Sequence, residues 1–311
     1  MKKSLERIEK YVENGVFPGC EFVVIDGNLT AKFQFGKRTI LPEITALGTH
    51  EIWDLASVSK VVGTGTVLIN LIFDGKIELD KPLNFYDAAF HDKNVTIRQL
   101  LTHTSGINPF IKNRDEMNAE QLKQAIYDIS VTADKSFKYT DINFILLGFL
   151  LEKCYKKSLD EIFDEQIFKP WKMSETSFGP RNEAVPTDFR LPIGQVHDPK
   201  ARVLGIHTGS AGLFSSLSDL TKFVQAYFAD DKYLQLLTNF SGNEKQRSLA
   251  WDLLKNDWIL HTGYTGTFIL INLKTKKAVI FLSNRVHLKD GRAQWILDRN
   301  LLIADFIEEL I

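Results

Sequence analysis

The chain has 311 residues, 44% hydrophobic and 25% charged, enough to bury a large core and to form an enzyme-sized cleft. Its 38 basic residues nearly balance 39 acidic ones, giving a formal net charge of −1, and no arm of one sign stands out. That balance argues against nucleic acid as a partner.

The N-terminal stretch Met1-Lys2-Lys3 runs into alternating charges up to Val12, without the apolar run of a secretory signal. With Met1 as the native start, the expected location is the cytoplasm. Uninterrupted apolar stretches such as Phe149-Leu150-Leu151 are too short to span a bilayer. Cys20 and Cys154 read as reduced thiols packed as small hydrophobes.

Leu5, Ile8, Tyr11 and Val12 fall at helical spacing, predicting an opening amphipathic helix that Gly15 ends. Cys20 to Ile25, a Gly27-Asn28 turn and Ala31 to Phe35 predict a hairpin. Val58 to Phe73 is almost wholly apolar and stops at Asp74-Gly75, which suggests a buried helix. From Leu83 to Pro180 the pattern is helical and loop-rich, with helices over 119–129 and 142–154. Strand patterns return at 258–260, 267–272 and 278–283, and the last helix covers 292–310.

Strands at both ends with helices between them predict an α+β fold. Its antiparallel sheet is built from both termini (residues 1–82 and 200–311) and flanked by the terminal helices. A helical subdomain (83–199) is inserted in the middle. A cleft between the two units is the natural place for an active site.

Chemistry begins at Ser57 and Lys60 in Ala56-Ser57-Val58-Ser59-Lys60. Three residues apart on a helix, they share one face. Ser57 at the helix N-terminus would sit where the dipole favours a developing oxyanion. Lys60, one turn deeper in an apolar pocket, would have a lowered pKa and could take or relay the serine proton. Alone, the pair reads equally as a serine cap beside a solvated lysine. Tyr139, in the loop before the helix that starts near Ile142, can point into the cleft; near an ammonium its phenol becomes a general base. The third element is His261-Thr262-Gly263-Tyr264, between strands. Small residues there let substrate backbone lie alongside, and the Tyr264 amide can join that of Ser57 as an oxyanion donor.

In this order the three elements resemble the serine β-lactamase and penicillin-binding protein family, and within it the class C-like branch. Leu100 to Ile107 looks like the loop that opens the helical region, Gly209 to Ser216 like the segment returning to the sheet, and Ser283-Asn284-Arg285-Val286 like the end of a late strand. The resemblance covers 17–286 and implies a β-lactamase/transpeptidase-like fold. It implies a serine hydrolase in which Ser57 attacks a carbonyl and Lys60 and Tyr139 handle its proton. The amides of Ser57 and Tyr264 hold the oxyanion, and water releases the acyl group. No cofactor and no metal are implied.

Two positions depart from the family. Asp141 stands where asparagine is common, and His261 where the strand motif begins with lysine. With Thr262 and Gly263 they are the expected substrate-binding residues. Together they remove a fixed positive charge and add a negative one where a substrate carboxylate would lie, a change of about 1 to 4 kcal/mol at about 4 Å. The expected preference moves from β-lactams toward neutral esters or amides. A direct Asp141–His261 pair is also expected, with His261 protonated below neutral pH.

Among other candidates, His103 is read as structural, held in a hydrogen-bonded turn, and His197 and Asp198 as bordering the cleft. The scattered tryptophans are read as core. The expected partner is a small molecule or short peptide, with no nucleic acid and no membrane span; no signal for an oligomeric state is visible. Open readings are a hydrolase (esterase, amidase, β-lactamase or D-amino-acid carboxypeptidase) and a penicillin-binding protein that is acylated but turns over poorly. Intact Ser57, Lys60 and Tyr139 argue against a non-catalytic scaffold.

Overall fold

The computed structural model describes residues 1–310. Ten strands are present among them: β1 (Gly19–Asp26), β2 (Leu29–Thr39), β3 (Thr45–Ala46), β4 (Ile52–Asp54), β5 (Ser177–Phe178), β6 (Leu213–Ser216), β7 (Asp252–Leu253), β8 (Trp258–Thr262), β9 (Phe268–Asn272) and β10 (Lys277–Ser283). The α-helices are α1 (Lys2–Glu13), α2 (Thr66–Phe73), α3 (Leu83–Tyr86), α4 (Ile97–Leu101), α5 (Ala119–Tyr127), α6 (Asp141–Tyr155), α7 (Leu159–Phe163), α8 (Pro199–Leu204), α9 (Leu217–Ala229) and α10 (Arg292–Leu310).

Seven strands form one sheet in the order β3-β2-β1-β10-β9-β8-β7. The two ends of the sequence meet at its centre, where β1 pairs antiparallel with β10 from Cys20↔Ser283 to Asp26↔Lys277. Residues 83–199 contribute no strand to this sheet. Alternate residues serve opposite faces. Phe22, Val24, Leu260, Leu270, Val279 and Phe281 pack with Ile8, Tyr11, Trp295 and Phe306 of α1 and α10. Val23, Ile25, Ile259, Ile271 and Ile280 pack with the larger helical core on the other side. With both faces covered, these strands read as continuous apolar runs rather than as alternation.

A second, three-stranded sheet in the order β4-β6-β5 was not expected. Its strands are two to four residues long, too short for a periodic signal. It fixes the chain just ahead of Ser57.

The run expected as one buried helix is a 3₁₀ turn (Ala56–Val58), a π-helical stretch (Val61–Gly65) and then α2. By length and composition Ala56–Phe73 could cross a membrane, but 78% of that span is buried inside the protein. A Cβ on Gly63 would stand 2.5 Å from the Phe163 ring, so the π-helical stretch runs hard against the end of α7. Both cysteines are free; Cys20 is buried as expected, whereas Cys154 lies on the exposed side of α6.

Candidate active site

Ser57 is presented by a strained turn. Ala56 immediately before it has φ of +46°, in the left-handed region that disfavours a side chain by about 1 kcal/mol or more. Asp54, fully buried, holds the turn by accepting the Ala56 amide at 2.8 Å and the His197 amide at 2.8 Å. Burial pushes its carboxyl pKa up to about 6 against the pull of those two amides. From the sheet side, Thr267 donates to the Leu55 carbonyl and Thr265 to that of Asp54. From the other side, Leu55 donates to the Leu213 carbonyl, and Ser59 accepts the Leu213 amide. Three distant segments are thereby tied to the residues flanking Ser57.

Lys60 is completely buried below Ser57. Its ammonium donates to Ser57 Oγ at 2.9 Å, to Asp141 Oδ1 at 2.7 Å and to the Ser210 carbonyl at 2.8 Å. The expected lowering of its pKa does not occur. Burial does lower it, but the charges of Asp141 and Tyr139 and their hydrogen bonds outweigh burial and raise it. Asp141 is the first residue of α6, where a carboxylate also suits the helix dipole. Burial alone would raise its pKa; Lys60 and Lys200 reverse that and hold it well below the usual carboxylate range.

The expected Asp141–His261 pair is therefore corrected. Asp141 spends one oxygen on Lys60 and the other on Lys200, 2.9 Å away. His261 is 3% exposed and neither ring nitrogen has a hydrogen-bond partner among the described residues. Burial, with Lys60 and Arg247 nearby, pushes its pKa down to about 3, so it is neutral near pH 7 and cannot stand in for a lysine. It also does not line the cleft. Its ring lies near those of Tyr139 and Trp251, where burial and the two cations outweigh the opposing pull of Asp252.

Tyr139 lies at the cleft wall, 41% exposed, with its ring centroid 5.2 Å from the Lys60 ammonium. His103 supports it from behind at 4.3 Å between ring centroids. The His103 backbone is left-handed (φ +58°), its carbonyl accepts the Lys138 amide, and its Nδ1 accepts from Asn143, which in turn accepts from Ser105. This is the structural role expected of His103.

Thr262 ends β8 and Gly263 follows it, and neither of these expected substrate-binding residues lines the cleft. The Thr262 hydroxyl accepts from Arg299 of α10 at 3.1 Å. Gly263 has no room for a side chain: a Cβ would meet the Leu55 carbonyl at 2.7 Å. That close approach brings Tyr264 beside Ser57 across the cleft. The Tyr264 amide has no acceptor among the described residues, and its carbonyl accepts from Arg285 at 2.5 Å. The Tyr264 ring stacks on His197 at 5.3 Å and carries the Arg292 guanidinium 5.6 Å above it.

The cleft encloses about 640 Å³. Ser57, Tyr139, Asp141, His197, Asp198 and Tyr264 line it, so most of the residues singled out from sequence converge there. Lys200, Arg202 and Arg292 line it too and were missed. Asp198-Pro199 is a helix-start signal that would have placed Lys200 in a first turn beside the cleft. Arg202 donates to the Val196 and His197 carbonyls. Asp188 is held by Arg190, Asp198 by Lys200 and Asp141 by both lysines. The acidic residues at the cleft are thus neutralised, and Arg292 adds a cation whose described contact is an aromatic ring. Among the described residues, no group of three or more His, Cys, Asp or Glu is placed to hold a metal ion.

The Beta-lactamase family model matches residues 6–303. The N-acetylmuramyl-L-alanine amidase of Bacillus subtilis (strain 168) is 24% identical over 363 residues, covering 92% of this chain and 82% of that protein. A beta-lactamase/D-alanine carboxypeptidase from Pseudomonas syringae superposes with a TM-score of 0.74 at 14% identity, covering 96% of this chain and 97% of the other. EstCE1, a hydrolase with promiscuous acyltransferase activity, superposes with a TM-score of 0.77 at 14% identity, covering 97% of each chain.

Proposed function

The chain belongs to the beta-lactamase family, and from that premise we propose that it is a serine hydrolase acting through Ser57 on a small amide or ester bearing a carboxylate, of the D-amino-acid peptide type. In this reading Lys60 in its neutral form takes the Ser57 proton, and Ser57 Oγ attacks the substrate carbonyl. The amides of Ser57 and Tyr264 stabilise the oxyanion. The leaving group departs with a proton relayed through Lys60 and Tyr139, leaving an acyl group on Ser57. Water adds to that carbonyl, the bond from it to Ser57 Oγ breaks and releases the acid, and a proton from the water returns to Ser57 Oγ. The partner in this reading is a small molecule or short peptide, with no nucleic acid and no membrane span.

The observation that carries the substrate class is the charge balance of the cleft. Asp141 was expected to repel a carboxylate, but two lysines neutralise it, and Arg292, with Arg114 and Arg202, also lines the cleft. The names of the Bacillus amidase and the Pseudomonas carboxypeptidase are consistent with such substrates. The test compares a D-alanyl-D-alanine peptide, its C-terminal amide, a chromogenic cephalosporin and a neutral short-chain ester. We expect kcat/KM to favour the free carboxylate over its amide, and Arg292→Ala to raise KM for the carboxylate about 10-fold with kcat little changed. Equal rates on peptide and amide would refute the substrate class while leaving Ser57 in place.

A further inference from the structure

We propose that Lys200 is a positioning residue for acyl transfer: by holding the second oxygen of Asp141, it limits the grip of Asp141 on the Lys60 proton and makes Ser57 easier to deprotonate. The inference rests on Lys60 being the base for Ser57.

The geometry is a chain of alternating charges. Lys60 takes Asp141 Oδ1 at 2.7 Å, Lys200 takes Asp141 Oδ2 at 2.9 Å, and Lys200 also takes Asp198 Oδ2 at 3.2 Å. Asp198 is fixed in turn, because its other oxygen caps α8 through the Ala201 amide at 2.9 Å. The Lys60 side chain is 0% exposed, that of Lys200 11% and that of Asp141 23%, so little water is present to screen the chain. Lys200 sits in the first turn of α8, the end of a helix where a cation gains nothing. Its place is accounted for by the two carboxylates it bridges.

A carboxylate facing Lys60 alone would stabilise the ammonium with its full charge. A second cation on the same carboxylate opposes that and makes the Lys60 proton easier to lose. The other groups that face Lys60 leave this balance intact. Tyr139 approaches from the loop before α6, His103 from the loop after α4 and His261 from β8. Burial keeps both histidines neutral, and behind His261 the Arg247 guanidinium shares Asp252 with Lys245. Near neutral pH the charge around Lys60 is therefore governed by Asp141 and Lys200.

The experiment is kcat/KM on a chromogenic ester from pH 5 to pH 10, a range in which Lys60, held above its ordinary value, stays charged in the resting site. Lys200→Met should lose about 10-fold at each pH, the loss expected when the Lys60 proton is held about ten times more tightly. Lys200→Arg, which keeps the charge, should keep wild-type activity. Lys200→Gln should lose activity as methionine does, and serves if the methionine variant does not fold. In an Asp141→Asn background Lys200→Met should cost nothing further, because the shared carboxylate is gone. An arginine variant that behaves like methionine, or a methionine loss that persists in the Asp141→Asn background, would show a merely structural role and overturn the proposal. Intact-mass detection of acylated Ser57 separates the two levels: no acylation in the wild type sinks the Ser57 reading, whereas acylation with no loss of rate in Lys200→Met sinks only the role of Lys200.

Discussion

Two buried titratable groups beside the nucleophile pull stability in opposite directions with pH. Asp54, pushed up to about 6, favours the fold when protonated; its contribution is complete below about pH 4 and lost as pH rises through 6. His261, pushed down to about 3, favours the fold when neutral; its contribution is complete above about pH 6.5 and lost as pH falls toward 3. A tenfold change in proton affinity between folded and unfolded chain is worth about 1.4 kcal/mol, so the two groups largely offset between pH 4 and 6. Thermal melting should show this. Asp54→Asn should steepen the loss of stability between pH 6 and 4, and His261→Asn should flatten it. The same neutral His261 predicts that the acylation profile between pH 5 and 8 keeps its shape in His261→Asn. A displaced limb would return His261 to the role of a charged substrate contact. Ser57, Lys60 and Tyr139 were legible because their spacing and order carry chemistry. Lys200 was not, since only the fold brings α8 against the first turn of α6, and the Asp141–His261 pair was misjudged for the same reason.

Between elements, the site depends on glycines that let backbones touch. A Cβ on Gly209 would stand 2.2 Å from the Phe144 carbonyl and 2.9 Å from the Gly148 Cα, so α6 and the segment leading into β6 meet without side chains between them. That contact sets the height of the Ser210 carbonyl over Lys60. Gly209→Ala should destabilise the protein by about 2 to 4 kcal/mol and lower kcat more than it raises KM, measured by denaturant unfolding and by steady-state kinetics. An unchanged midpoint would mean that the contact relaxes freely. The longer elements were readable from periodicity: α1, α5, α6, α10 and five strands of the large sheet (β1, β2, β8, β9 and β10) fall within a few residues of their expected spans, whereas the two-residue β3 and β7 were not expected. The small sheet and the π-helical turn were not, because both are held by contacts between segments far apart in the chain rather than by any local pattern.

At the scale of the molecule, the large sheet stands between the site and α1, and α10 reaches the cleft only through its first residue, Arg292. α1 and α10 are clamped by Arg7 and Lys3 on Asp305, whose side chain is 4% exposed, and by Ser4 on Glu309. Asp305→Ala would leave Arg7 without its buried partner and should cost about 2 to 4 kcal/mol. Because that clamp lies on the face of the sheet away from Ser57, kcat/KM should stay within about 2-fold of wild type under folded conditions. A larger loss would mean that the terminal helices transmit strain through the sheet to the cleft. The meeting of both termini in one sheet could be inferred from strands at either end of the sequence, and the pairing of β1 with β10 gives it a register.

The most direct measurement is the intact mass of the protein after brief exposure to a chromogenic ester and to a cephalosporin, in wild type and in Ser57→Ala. An adduct of the acyl mass on the Ser57 peptide, absent from the variant together with at least about 1000-fold of the hydrolytic rate, is the expected result. Hydrolysis that survives in Ser57→Ala, or an acyl group found on any other residue, would contradict the account at its centre.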